Sequence, residues 1–389
     1  MRFRTVAIAF AVVVAIAVAG VTGLFFSYPD ERQAVVAPAP VGAEEAARTL
    51  AALKPPKRAR PVVAVVGANE GSETTDYLIP YGVLKRSGVA DVVSLGVGAG
   101  PVKLMPALTI VPEATIAEFD TRFPDGADYV IVPALHNAMN PRLIAWIKGQ
   151  SGKGATIVGI CAGAWVLANA GLLDRREATT IWASVADLRA AHPTMRYVPN
   201  RRYVADRGVV TTTGVSASLP VSLAIVEAIA GRERAKALAQ ELSAPGWDAA
   251  HVSGAFRVRR SDIRAMVPVL LGLGKHETVG VPVSSGVDEV SLAFTADAYM
   301  TTNLTRVLTL SDLAGPVVTA QGIRLIPDGV RGKAPVDVML DELSRDRPVQ
   351  ALERAFAEIA ARYGRDYAAL ARLSLEYPDA SATVRAAQE

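Results

Sequence analysis

The chain has 389 residues, 51% of them hydrophobic, with 41 Lys and Arg against 38 Asp and Glu and a formal net charge of +3. That length holds about two domains, and the near-balance of charge, with "PPKRARP" as its one short basic cluster, argues against a nucleic-acid partner. A single cysteine excludes an internal disulfide framework and a multi-cysteine zinc site, and the four histidines are scattered, so no metal and no cofactor is expected.

The run Thr5–Ser27, "TVAIAFAVVVAIAVAGVTGLFFS", carries no charge. As a helix rising about 1.5 Å per residue it reaches the roughly 30 Å of a hydrocarbon core. Arg2 and Arg4 flank it and place the N-terminus in the cytoplasm, with the rest of the chain outside. Residues 1–28 therefore read as a transmembrane signal-anchor and the lipid membrane as a partner. The alternative is a signal peptide cleaved after Ala17-Val18-Ala19, which leaves a secreted or periplasmic domain. Residues 29–60, rich in proline and charge at both ends, read as a linker containing the helix-forming piece "EEAARTLAAL".

From Pro61 strand and helix patterns alternate: "VVAVVG", "TDYLIPYGVLKRSG", "DVVSL", "GPVKL" and "ALTIV", "DYVIVP", "PRLIAWIKGQSG", "ATIVGI", "GVVTTTG", "LPVSLAIVEAIAG". Strands that are near-continuous apolar runs between helices predict an α/β fold with a doubly wound, flavodoxin-like parallel sheet. Residues 61–250 form this domain and 251–276 a connector. Residues 62–113 then match 277–328 at a constant offset of 215: Gly71 falls on Gly286, Val92 on Val307, Pro112 on Pro327. Residues 277–380 thus read as a partial second unit. After Val330 no counterpart of "DYVIVP" or of the cysteine turn is expected, and "VDVMLDELSRDRPVQALERAFAEIAARYGRDYAALARLSLEYP" reads as helical.

The chemistry concentrates at "ATIVGICAGAWVLANAGLLDRREATTIW", where a strand enters a helix through a turn carrying Cys161. Such a turn raises one side chain at the carboxyl edge of the sheet. Ala162 and Gly163 are small enough for it, and the adjoining helix N-terminus favours thiolate. A buried structural cysteine is the plainer reading of the same residues.

"GICAGAWVLANAGLLDRREATTIW" and "TDYLIPYGVLKRSG" resemble the PfpI/ThiJ superfamily, the class I glutamine amidotransferase-like fold. They look most like the amidase-like domains at the front of AraC-type regulators and like isonitrile hydratases. The resemblance covers about residues 61–245. It implies Cys161 as nucleophile and Asp76, four residues ahead of Pro80, as its acid partner. It also implies a pocket drawn from Ala134, Leu135, Ala162, Gly163 and Ile181, with the amides near Ala134 and Ala162 as oxyanion donors. Two departures matter. The position relatives give to histidine is Ile181, so the usual Cys–His dyad is absent. Where relatives place glycines after "DYVIVP", this chain has Ala134, Leu135, His136 and Asn137. His136 is a candidate replacement base and Asn137 a candidate ligand donor; a solvated loop is the alternative for both. His192, His251 and His276 carry no pattern. No basic helix-turn-helix pair follows, so a regulator's DNA-binding part is not expected.

Two function classes stay open: a thiol-dependent hydrolase or hydratase acting on a small C–N or carbonyl compound, and a catalytically impaired ligand-binding or redox-sensing domain. The partner set is a small molecule and either an intrachain pseudo-dimer or a homodimer.

Overall fold

The computed structural model describes residues 25, 27–29, 38–272, 274, 276–343 and 346–378. Apart from Phe25 and Ser27, the expected membrane-spanning run lies outside the described residues. Among the described residues no helix is long and apolar enough to cross a membrane.

The first unit is built on seven strands in the order Tyr203–Asp206, Val209–Thr212, Thr156–Gly159, Tyr129–Val132, Val62–Gly67, Asp91–Gly96, Ala114–Thr115. All neighbours are parallel except the first two. Strand side chains alternate between faces. Val63 and Val65 enter one core, shared with the Thr74–Ser87 and Ser218–Ala230 helices. Val62, Ala64 and Val66 enter the other, with Phe119, Trp146 and Leu167. Both faces are covered, which is why these strands read as unbroken apolar runs. Each fully buried Val, Leu or Ile side chain contributes about 1.5–3 kcal/mol. Asp128 ties the strand starts together: it accepts from Val62 N at 2.9 Å, Arg58 N at 3.1 Å and the Arg58 guanidinium at 2.7 Å.

The Ala43–Ala52 helix, part of the expected linker, is docked on this unit. Leu53 is fully buried, its carbonyl accepts from the Tyr129 hydroxyl at 2.6 Å, and Glu45 pairs with Arg201.

Residues 277–339 hold a second, four-stranded parallel sheet in the order Gly329–Val330, Thr305–Ser311, Glu277–Pro282, Val338–Met339. The Glu289–Met300 helix, which begins 215 residues after the Thr74–Ser87 helix, packs against it. The sequence offset of 215 slips by one residue in the first strand. Val279 pairs with Val307, whereas a constant offset would put Thr278 there. Because strand side chains alternate, that slip turns Val279 and Val281 into the core shared by both units.

Two further expectations are corrected. Val338–Met339 forms a short strand where none was expected, because Glu277–Pro282 would otherwise present an open edge. The helical reading of the C-terminal stretch fails until Pro348, which opens the Pro348–Tyr363 helix at its first turn.

The units also share a sheet. Val102–Met105 and Leu108–Val111 form a hairpin that pairs antiparallel with Arg324–Leu325. Leu325 sits opposite Ile110, its own counterpart at offset 215, and Ile326 N donates to Thr109 O at 2.8 Å.

Candidate functional site

Cys161 sits between the Thr156–Gly159 strand and the Gly163–Asn169 helix at φ 55, a left-handed backbone rare outside glycine. The strain is held from several sides. Cys161 N donates to Thr212 Oγ1 at 3.0 Å, Thr180 Oγ1 donates to Cys161 O at 3.1 Å, and Ile160 N to Val132 O at 2.9 Å. Gly163 is required because a Cβ there would run into the carbonyls of Val132 and Pro133. Strained residues persist only where the surroundings over-determine them, and they cluster at functional sites.

The thiol is buried, 5% exposed. The expected lowering of its pKa by the helix end does not hold. Burial pushes the thiol well above its ordinary range; Asp76 and Glu73 push it further, and Glu376 adds to this. The opposing backbone hydrogen bond from Ala162 is outweighed. Desolvation disfavours thiolate more than one short helix stabilises it.

Asp76 is fully buried in the first turn of the Thr74–Ser87 helix. Its Oδ2 accepts from Ala134 N at 3.0 Å. Burial first, then the Glu73 carboxylate, raise its pKa well above the carboxylate range. Burial and the Glu73 carboxylate thus both favour its protonated form. Glu73 caps the helix, accepting from Asp76 N at 2.5 Å and from Thr75 Oγ1 at 2.8 Å. Thr75 Oγ1 also lies 3.3 Å from Asp297 Oδ2, in the second unit. Asp297 is buried and likewise raised, by burial and then by Glu73. Glu73 and Asp297 were not singled out in the sequence. A carboxylate inside the apolar stretch "LAFTADAY" was the one available signal for Asp297.

The remaining residues separate. Leu135 bridges antiparallel to Ser72, Glu73 N donates to Ala134 O at 2.8 Å, and His136 N donates to Gly71 O at 3.0 Å, so this loop holds the Asp76 segment through its backbone. The His136 and Asn137 residues are exposed, and Asn137 Oδ1 accepts from Met139 N at 3.0 Å. No hydrogen bond among the described residues links either to Cys161. The amide of Ala134 is engaged by Asp76, so it does not stand free as an oxyanion donor.

Ile181 is half-buried beside a group the sequence did not point to. Glu376, at the end of the Arg365–Ser374 helix, reaches between the loops flanking the elbow. Its Oε2 accepts from Gly214 N at 2.6 Å and Trp182 N at 3.3 Å, and its Oε1 lies 2.9 Å from His251 Nε2. Trp182 Nε1 donates to Leu373 O at 3.0 Å, and Ser216 Oγ to Glu376 O at 2.6 Å. His251, which carries no pattern in the sequence, is thus buried and paired. The second unit's C-terminal turn closes this side of the site. No group of three or more His, Cys, Asp or Glu able to hold a metal occurs among the described residues.

Residues 62–228, which include Asp76 and the Cys161 turn, match the model of the DJ-1/PfpI family. The chain carries a DJ-1/PfpI family domain. The domain is similar to the HTH-type transcriptional regulator CdhR of Pseudomonas aeruginosa, 38% identical over 58 residues, or 15% of this chain and 17% of that protein. It is also similar to the Parkinson disease protein 7 homolog of Danio rerio, 30% identical over 122 residues, or 30% of this chain and 64% of that protein. The chain thus spans under a fifth of the first relative and just under two thirds of the second. Among solved structures, Drosophila melanogaster DJ-1beta shares 25% identity at a TM-score of 0.43, covering 47% of this chain and 98% of its own. An AraC family transcriptional regulator from Pseudomonas putida shares 17% at 0.41, covering 46% and 98%.

Proposed function

We propose that this protein is a membrane-tethered DJ-1/PfpI domain whose Cys161–Asp76 site binds or senses a small ligand, with the second unit serving as a built-in partner. One observation carries the reading: backbone amides around the elbow that would serve acyl or addition chemistry are already taken by carboxylates of the chain. The Ala134 amide holds Asp76, and Glu376 takes the amides of Trp182 and Gly214. Ile181 supplies no base. A buried thiol with a raised pKa, lacking a base, is a poor nucleophile. The facing of Ile110 and Leu325 supports a partial second copy of the unit acting as an intrachain pseudo-dimer. The uncharged run Thr5–Ser27 supports the tether and an extracytoplasmic domain.

A second reading, a hydrolase or hydratase acting on a small C–N or carbonyl compound, is favoured by the raised pKa of Asp76, a shift in the direction that suits a general acid. The rate of Cys161 alkylation by a small thiol reagent, followed against pH, separates the two. Slow reaction rising only above the free-thiol value of about 8.5 is expected, with marked acceleration in Glu376→Gln. Rapid alkylation of the unaltered protein at neutral pH would sink the sensor reading and leave the enzyme.

A further inference from the structure

We propose that the Arg260–Leu270 helix is an interfacial helix that lays the folded part of the chain against an anionic lipid surface. The inference rests on the reading of Thr5–Ser27 as a membrane anchor and adds a second, separate contact to it.

The helix, "RSDIRAMVPVL", buries Asp262 and Ala265 and packs against the Arg365–Ser374 helix, where Arg264 pairs with Asp366 at 3.4 Å. Its other side is apolar and uncovered among the described residues. Met266 is 36% exposed, Val267 42%, Leu270 76% and Leu271 65%. These positions are neighbours on one helical stripe. Single exposed apolar residues are ordinary, but a contiguous stripe marks an interaction surface.

Two contacts state what that surface faces. Arg260 N donates to Pro29 O at 3.2 Å, and the Arg260 guanidinium lies 6.0 Å from the Phe25 ring centre. Phe25 belongs to the end of the uncharged run, so the stripe begins where that run leaves the bilayer. The start of the helix is cationic: Arg257, Arg259 and Arg260 fall within four residues. An apolar stripe edged by arginines matches a layer of anionic headgroups over acyl chains. Residues 251–276, which first read as a connector, thereby gain a role of their own.

The test uses the full chain carrying Cys161→Ser, with Leu270→Cys or Val18→Cys labelled by a polarity-sensitive fluorophore. Each is reconstituted into vesicles of phosphatidylcholine with or without phosphatidylglycerol. Quenching by nitroxide lipid is compared with quenching by aqueous iodide. The Leu270 label is expected to favour the lipid quencher by about threefold or more, and to lose about half of that preference without phosphatidylglycerol. A Leu270 label open to iodide overturns the proposal. So does one protected from both quenchers, which would mean that protein covers the stripe. The Val18 label reports on the anchor alone: lipid-quenched Val18 with iodide-quenched Leu270 leaves the anchor standing without the surface helix, and the reverse leaves the surface helix without the anchor.

Discussion

Cys161 owes its presentation to residues that close around its backbone and its reactivity to residues that close around its sulfur. Asp76 is the neighbouring charge that most opposes thiolate, after burial itself. Replacing Asp76 with Asn removes that charge, so the midpoint of Cys161 alkylation is expected to move to lower pH. An unchanged or higher midpoint would take Asp76 out of the thiol's surroundings. Gly163 tests the elbow itself. A Cβ there meets the carbonyls of Val132 and Pro133, backbone at the end of a central strand that cannot yield as a side chain can. Gly163→Ala is expected to cost about 1–3 kcal/mol in urea unfolding. At this scale Cys161, Gly163 and Asp76 were legible because an elbow and a first-turn acid leave local patterns. Glu376 and His251 were not, because the contact joins positions 125 residues apart and neither has a local signature.

The helices Thr74–Ser87 and Glu289–Met300 join the two units. Both are buried almost throughout, so neither shows the one-sided apolar stripe of a surface helix. Gly82 marks the closest approach: a Cβ there would lie 2.7 Å from Glu289 Oε1 and from Val290 Cγ2. Gly82→Val is expected to destabilise by roughly 1–3 kcal/mol. Gly149 provides the contrast, since it lies in a surface helix with open space around it. Gly149→Ala is expected to stabilise by about 0.5–1 kcal/mol, and equal effects at the two glycines would contradict the close packing. The strand-and-helix order of the first unit was readable because each element fills a distinct apolar run bounded by proline or glycine. Gly88 at φ 69, ending its helix, is an example. The Val338–Met339 strand was not readable. Two residues carry no periodicity, and only an open neighbouring edge makes them a strand.

Across the whole molecule the buried acids set a pH dependence. Asp76 and Asp297 have folded pKa values raised above the ordinary aspartate value of about 3.9, in each case chiefly by burial. A raised acid adds stability that is fully present below that value and is lost as pH rises toward its folded pKa. Stability is therefore expected to fall from the acid side toward neutrality, and Asp297→Asn to flatten the fall, measured as melting temperature against pH. A parallel displacement of the curve, with no change of slope, would exclude Asp297 as a source. The amino-acid sequence by itself determined the α/β class, the first unit's elements, the elbow with Cys161 and Asp76, and the recurrence at offset 215. These follow from local periodicity, turn chemistry and self-similarity. Only the tertiary structure decided that Asp297 joins the acid cluster, that Glu376 with His251 closes the site, and that the first repeated strand slips by one residue. Those outcomes depend on which buried faces and open edges meet in space, and side-chain desolvation there overrides what the local helix end would do to the thiol.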